Sequence, residues 1–115
     1  MLCLLCFAPF ARPAPPAAAQ SEIEYLLGTV ERSGCSFYRN GNWYDGAQAQ
    51  AHLRRKYDAL VATNRIASAE DFIELAASKS SLSGKAYAIT CNNGPAVTSA
   101  QWLRDALARY RSGPG

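Results

Sequence analysis

Residues 35–45, Cys35-Ser-Phe-Tyr-Arg-Asn-Gly-Asn-Trp-Tyr-Asp45, place four aromatic residues around an Asn-Gly pair behind a cysteine. Asn-Gly between alternating residues is the strongest short signal for a β-hairpin, because a type I′ turn needs two residues at positive φ. With Arg39 opposite Asn42, the register pairs Tyr38 with Trp43 and Phe37 with Tyr44. Side chains alternate across a strand. Cys35, Phe37 and Tyr44 therefore share one face, and Ser36, Tyr38 and Trp43 the other. The face that carries the cysteine is expected to point into the core.

The cysteine leads outward to the rest of the chain. Of four cysteines, Cys3 and Cys6 lie in the opening MLCLLCFAPFARPAPPAAAQ. That opening is a short apolar run followed by Pro and Ala, and it reads as an export leader. Ala17 and Ala19 supply the small side chains a signal peptidase needs, so the leader is expected to span residues 1–19. The usual basic n-region is missing, which would fit a start internal to the true one. The apolar run is far shorter than the roughly 20 residues that cross a bilayer. Cys3 and Cys6 leave with the leader, so their C-x-x-C spacing carries no redox role. Cys35 and Cys91 remain, and an even count in an exported chain reads as one disulfide.

The whole chain of 115 residues carries a net charge of +3, and Arg12 departs with the leader. So mild a charge gives no argument for nucleic acid or membrane binding. The length allows one small domain, expected over residues 20–111, with a disordered tail at 112–115.

Helices are marked by their caps. Ser21 with Glu24 makes a capping box ahead of Ile23, Leu26, Leu27 and Val30, whose spacing is that of an amphipathic helix ending near Gly34. Asp45 with Gln48 caps a second helix reaching about Asn64, with Ala49, Leu53, Tyr57, Leu60 and Val61 as its apolar stripe. Ser68 opens a third helix that buries Phe72, Ile73, Leu75 and Ala76. Thr98 with Gln101 caps a fourth, with Val97 and Trp102 as its hydrophobic staple. Between the third and fourth helices, residues 85–91 alternate like a strand, with Tyr87, Ile89 and Cys91 on the bulkier face. The expected order is α-β-β-α-α-β-α. This is an α+β domain with a three-stranded antiparallel sheet, its third strand pinned by the disulfide to the hairpin's first strand.

These residues also carry a resemblance. Gly34-Cys35, Phe37, Arg39-Asn40-Gly41, Tyr44, His52-Leu53-Arg54, Lys56-Tyr57, Phe72-Ile73, residues 77–81, Ser83-Gly84, Tyr87, Cys91 and Trp102-Leu103-Arg104 together resemble an uncharacterised family of small exported bacterial proteins built on a domain of unknown function. The resemblance covers nearly all of the chain after the leader. It implies export and paired cysteines, and it implies no activity.

Three places are candidate binding sites. Tyr38, Arg39 and Trp43 are residue types that anchor interfaces when exposed, although a cross-strand aromatic pair also stabilises a hairpin by itself. His52 sits at the edge of its helix's apolar stripe, where it is either a general base or a half-buried histidine bonded to a neighbouring strand. Lys79, Ser80 and Ser81 lie in the polar loop 78–84, which either binds a ligand or ties itself down through hydroxyl-to-backbone bonds. Arg54, Arg55 and Lys56 point in three directions from one helix and read as a solvated face. No Ser in the loop has Lys three positions on, so the Ser-x-x-K arrangement of serine hydrolases is missing. No metal or cofactor is expected, since one histidine and scattered carboxylates lack ligand spacing.

The reading is therefore a periplasmic or secreted binding module, more in keeping with a non-enzyme, whose partner is a protein or a cell-envelope component. Two alternatives stay open. One is a small hydrolase pairing His52 with a serine of the 78–83 loop. The other is an inhibitor of a secreted enzyme, which needs a protruding loop with a rigid anchor residue.

Overall fold

The computed structural model describes residues 14–113. The apolar part of the expected leader and the last two residues of the expected tail lie outside them.

The hairpin forms as its turn chemistry requires. Strand β1 (Ser36–Arg39) and strand β2 (Asn42–Tyr44) pair antiparallel, with Phe37 opposite Tyr44, Tyr38 opposite Trp43 and Arg39 opposite Asn42. Asn40 at φ 49° and Gly41 at φ 87° make the turn. Both values lie where glycine and asparagine are tolerated and other side chains are strained.

Strand β3 (Ala88–Thr90) lies along the other side of β1, and a fourth strand, β4 (Val97–Thr98), lies beyond β3. The sheet thus has four antiparallel strands in the order β2-β1-β3-β4, where the sequence led us to expect three. Val97 is the reason for the difference. Read as half of a helix staple, it is a strand residue opposite Ile89. Trp102, its expected partner, turns its ring edge-on to Phe37 with centroids 6.1 Å apart. Strand β3 is also shorter than the 85–91 alternation suggests. Beyond it, Ala86 and Lys79 form an isolated bridge that closes the polar loop.

Four helices accompany the sheet: α1 (Ala17–Arg32), α2 (Gly46–Ala62), α3 (Ala69–Ala76) and α4 (Ser99–Ser112). Three start where their caps predict. Asp45 and Gln48 form a reciprocal capping box, Ser68 accepts from the Asp71 amide, and Thr98 accepts from the Gln101 amide. The first does not. Helix α1 begins at Ala17, without a side-chain cap, and Ser21 lies inside it. Alanine is the best helix former, so the Ala17–Ala19 run continues the helix past a box that would otherwise begin it. Ala19 is buried as a result. Cleavage after Ala19 would therefore trim the first turn of α1. Ser112 is likewise helical, where the tail was expected to start.

The core joins the inner sheet face to the helix stripes. Ile23, Leu26, Leu27 and Val30 of α1, Leu53 and Tyr57 of α2, Phe72 and Ile73 of α3, and Leu103 and Leu107 of α4 meet Phe37 and Ile89. Helix α2 starts directly against the end of α1. A Cβ on Gly46 would lie 2.5 Å from the Val30 carbonyl oxygen, so only glycine fits there. The Cys35–Cys91 disulfide joins β1 to the end of β3, with Cα atoms 4.4 Å apart.

Candidate functional site

Across the sheet, Tyr44, Phe37, Ile89 and Val97 form the row on the helix side, and Trp43, Tyr38, Ala88 and Thr98 the row opposite. The hairpin's aromatics are divided accordingly. Phe37 is buried and Tyr44 half-buried, while Tyr38 is half-buried beneath Trp43, which is 52% exposed. The two outer rings meet edge-on, with centroids 5.2 Å apart.

The tip of the hairpin is clasped to the polar loop. Asn40 Nδ2 donates to Ser80 Oγ at 3.0 Å, and Ser83 Oγ donates to Asn40 Oδ1 at 2.6 Å. Ser80 is buried, and its Oγ also accepts from the amides of Leu82 and Ser83. The Gly84 amide donates to the Ser80 carbonyl, and the Ser80 amide to the Lys85 carbonyl. Ser80 therefore organises the loop, as hydroxyl-to-backbone bonding does elsewhere. At the apex of this hydrogen-bonded frame stands Leu82, 95% exposed.

Beside the clasp, Arg39, Asn40, His52, Lys56, Ser80, Ser81, Leu82 and Tyr87 line a crevice of about 180 Å³. His52 and Lys56 lie one helical turn apart on α2 and so share a face. His52 Nε2 is 3.1 Å from the Tyr87 hydroxyl, and Lys56 Nζ donates to that same oxygen at 3.1 Å and to the Lys79 carbonyl at 3.0 Å. An ammonium group only donates. The Tyr87 oxygen therefore accepts from Lys56 and shares a second hydrogen bond with His52 Nε2. Burial, aided by Arg39, Lys56 and Arg55, holds the His52 pKa down to about 4, so the ring is neutral at physiological pH. Burial also lowers the Lys56 pKa and raises that of Tyr87.

The sequence candidates thus separate. Arg39, His52, Ser80 and Ser81 converge on the crevice, whereas Tyr38 and Trp43 belong to the outer sheet face. The Lys79 side chain lines a different depression, with Glu74 and Ser78, and only its carbonyl faces Lys56. Arg54, Arg55 and Lys56 do point three ways. Arg54 makes a two-pronged ion pair with Glu24 of α1, Arg55 is exposed, and Lys56 turns into the crevice. Lys56 and Tyr87 are the site residues the sequence reading passed over. The available signal was the i, i+4 relation of Lys56 to His52.

Chemically, this arrangement can donate hydrogen bonds to a ligand more readily than it can activate a nucleophile. His52 meets Tyr87, and no hydrogen bond joins it to a loop serine among the described residues. No group of three or more His, Cys, Asp or Glu side chains that could hold a metal ion occurs among the described residues. Nor is any described helix long and apolar enough to cross a membrane.

Fold and site together define a disulfide-closed α+β domain with a clasped hairpin and a basic crevice. The chain belongs to the family of unknown function DUF5329, whose model matches residues 17–111. It is also similar to the uncharacterized protein YfeK of Salmonella typhimurium (strain LT2), with 36% identity over 72 residues. That match takes in 62% of this chain and spans 58% of the relative's length. No solved structure matches.

Proposed function

We propose that this chain is an exported, non-enzymatic binding module that engages a protein or cell-envelope component through the hairpin's outer face and the loop clasped to it. One observation carries the reading. Of the large apolar side chains that stay exposed among the described residues, the two most exposed are Leu82 on the loop and Trp43 on the hairpin. Both stand on hydrogen-bonded backbone, so little ordering entropy is lost when a partner covers them. Export would follow from the leader over residues 1–19 and suits the disulfide.

Pull-down from an envelope extract with the oxidised protein tests the proposal. Trp43→Ala and Leu82→Ala should each lose the captured partner. Leu82→Ala should stay within about 0.5 kcal/mol of wild-type stability, and Trp43→Ala, which also gives up its edge-on contact with Tyr38, within about 1 kcal/mol. Capture unchanged in both variants would refute it. So would a loss of stability at Trp43 as large as that of Leu53→Ala, which would make Trp43 a packing residue.

Leu82 favours a second reading, the inhibitor of a secreted enzyme, because it is an anchor on a rigid protruding loop. Secreted proteases assayed with and without the protein test that reading, and undiminished activity across the panel removes it.

A further inference from the structure

We propose that the crevice between β1, α2 and the 78–84 loop is a phosphate site, in which Arg39 and Lys56 hold the anion and Tyr87 and His52 fix Lys56 in place. Arg54 is paired with Glu24, and Arg111 with Glu22 and Glu70. Arg39 and Lys56 are half-buried, and neither has a carboxylate within ion-pairing distance among the described residues. Half-buried cations without a counter-charge are costly, and their shared crevice is where a counter-charge fits.

Geometry then narrows the ligand. The Arg39 guanidinium lies 4.5 Å over the Tyr44 ring, and none of its N–H groups meets an acceptor among the described residues. That leaves its planar donor fork available for a pair of oxygens. Lys56 uses two of its three N–H bonds on Tyr87 and the Lys79 carbonyl, and one remains. A forked pair plus a single donor suits three oxygens, and two unpaired cations suit a dianion. A phosphate group has both properties, whereas a carboxylate offers two oxygens and one charge. The crevice, about 180 Å³, has room for the group and a short substituent. Next to it, Arg39, His52 and Tyr87 also border an apolar niche of about 30 Å³, lined by Phe37, Leu53 and Trp102, which admits no more than a methyl-sized group. The site does not rest on docking through Trp43 or Leu82, and it can stand or fall separately.

His52 is the chain's one histidine, which makes its ring an unambiguous NMR reporter inside the crevice. The oxidised protein is titrated at constant ionic strength with inorganic phosphate, with glycerol 3-phosphate and with acetate. Phosphate should shift the His52 resonance saturably, and acetate should require a higher concentration. Tighter binding of glycerol 3-phosphate than of inorganic phosphate assigns the site to a phosphate monoester, and the reverse assigns it to the free ion. Lys56→Met and Arg39→Gln should each weaken phosphate roughly tenfold or more. Arg55→Met, which removes the same charge from the exposed side of α2, should weaken it less than roughly twofold. If Lys56→Met does not fold, Arg39→Gln carries the test. The proposal is overturned by a linear, unsaturable shift, by equal affinity for acetate, or by an Arg55 effect matching that of Arg39.

Discussion

The two ends of strand β1 lie only a few residues apart and are held by opposite means. At its start, Cys35 is buried and covalently joined to Cys91. At its end, Arg39 and Asn40 are held by a stacked ring and by hydrogen bonds to a polar loop. The first end closes the core. The second leaves cations facing a crevice and an apolar loop tip facing solvent. The contrast separates stability from recognition within one strand. Groups at the cysteine end are satisfied within the protein, and groups at the arginine end keep donors to spare.

A second contrast agrees with the first. Arg111 bridges Glu22 of α1 and Glu70 of α3 from the end of α4, and Arg54 ties α2 to α1 through Glu24. These pairs lower the pKa values of all three carboxylates, chiefly through the hydrogen bonds from the arginines. Arg54 and Arg111 on the helices have carboxylate partners, and the half-buried Arg39 and Lys56 at the crevice have none among the described residues.

The largest expected effect comes from cutting the covalent end. The disulfide closes a sequence separation of 56, for which the chain-entropy model gives about 4 kcal/mol. Cys91→Ser, or reductant added to the wild type, should lower the denaturation midpoint by a corresponding amount. Superimposable unfolding curves before and after reduction would show that the cysteine end does not hold the domain, and the contrast between the two ends would fail.

Breaking the clasp at the other end should cost less. Asn40 supplies a left-handed turn residue and two side-chain hydrogen bonds. Asn40→Gly keeps the turn and loses the bonds, at about 1 kcal/mol. Asn40→Ala loses both, at about 2 kcal/mol, because alanine is strained at positive φ. Hydrogen exchange at the Leu82 and Ser83 amides should quicken in both variants. Unchanged protection there would mean that the loop is rigid without the hairpin, and that the two segments do not form one recognition surface.

These assignments also show what the chain's own pattern makes legible. The hairpin register, the Asp45 and Ser68 caps and the cysteine pairing are set by local chemistry or by compartment, and they can be read without a fold. The start of α1 was misplaced because two local signals compete there, and the helix propensity of Ala17–Ala19 outweighs the Ser21 box. Strand β4 was missed because two residues cannot display a period, and its pairing partner Ile89 is visible only in three dimensions. Lys56 and Tyr87 were missed for the same reason. Each looks ordinary on its own element, as a solvated helix charge and a core aromatic. They become a site when the bonds of the Tyr87 backbone to Ser78 and Ser99 bring its hydroxyl beneath α2.

The smallest expected effect tests whether the crevice holds His52 neutral. Its folded pKa of about 4 lies below the ordinary value of 6.5, because burial and the neighbouring cations disfavour the charged ring. A depressed folded pKa contributes stability that is fully present above the unfolded value and is lost as pH falls toward the folded one. Stability should therefore decline between pH 6.5 and 4. The ring is partly solvated, so the loss is about 1 kcal/mol once solvent screening is discounted, or roughly 4–8 °C in Tm for a domain of this size. Glu22, Glu24 and Glu70 titrate below 4.5 in the folded protein, which leaves the upper part of that window to the histidine. His52→Gln should melt at a nearly constant temperature from pH 6.5 to about 5, above the range in which the three glutamates begin to lose their contribution, while the wild type declines. Parallel profiles would mean that the ring titrates as freely as in water. The His52 ring would then lie outside the buried frame that, through Tyr87, surrounds Lys56.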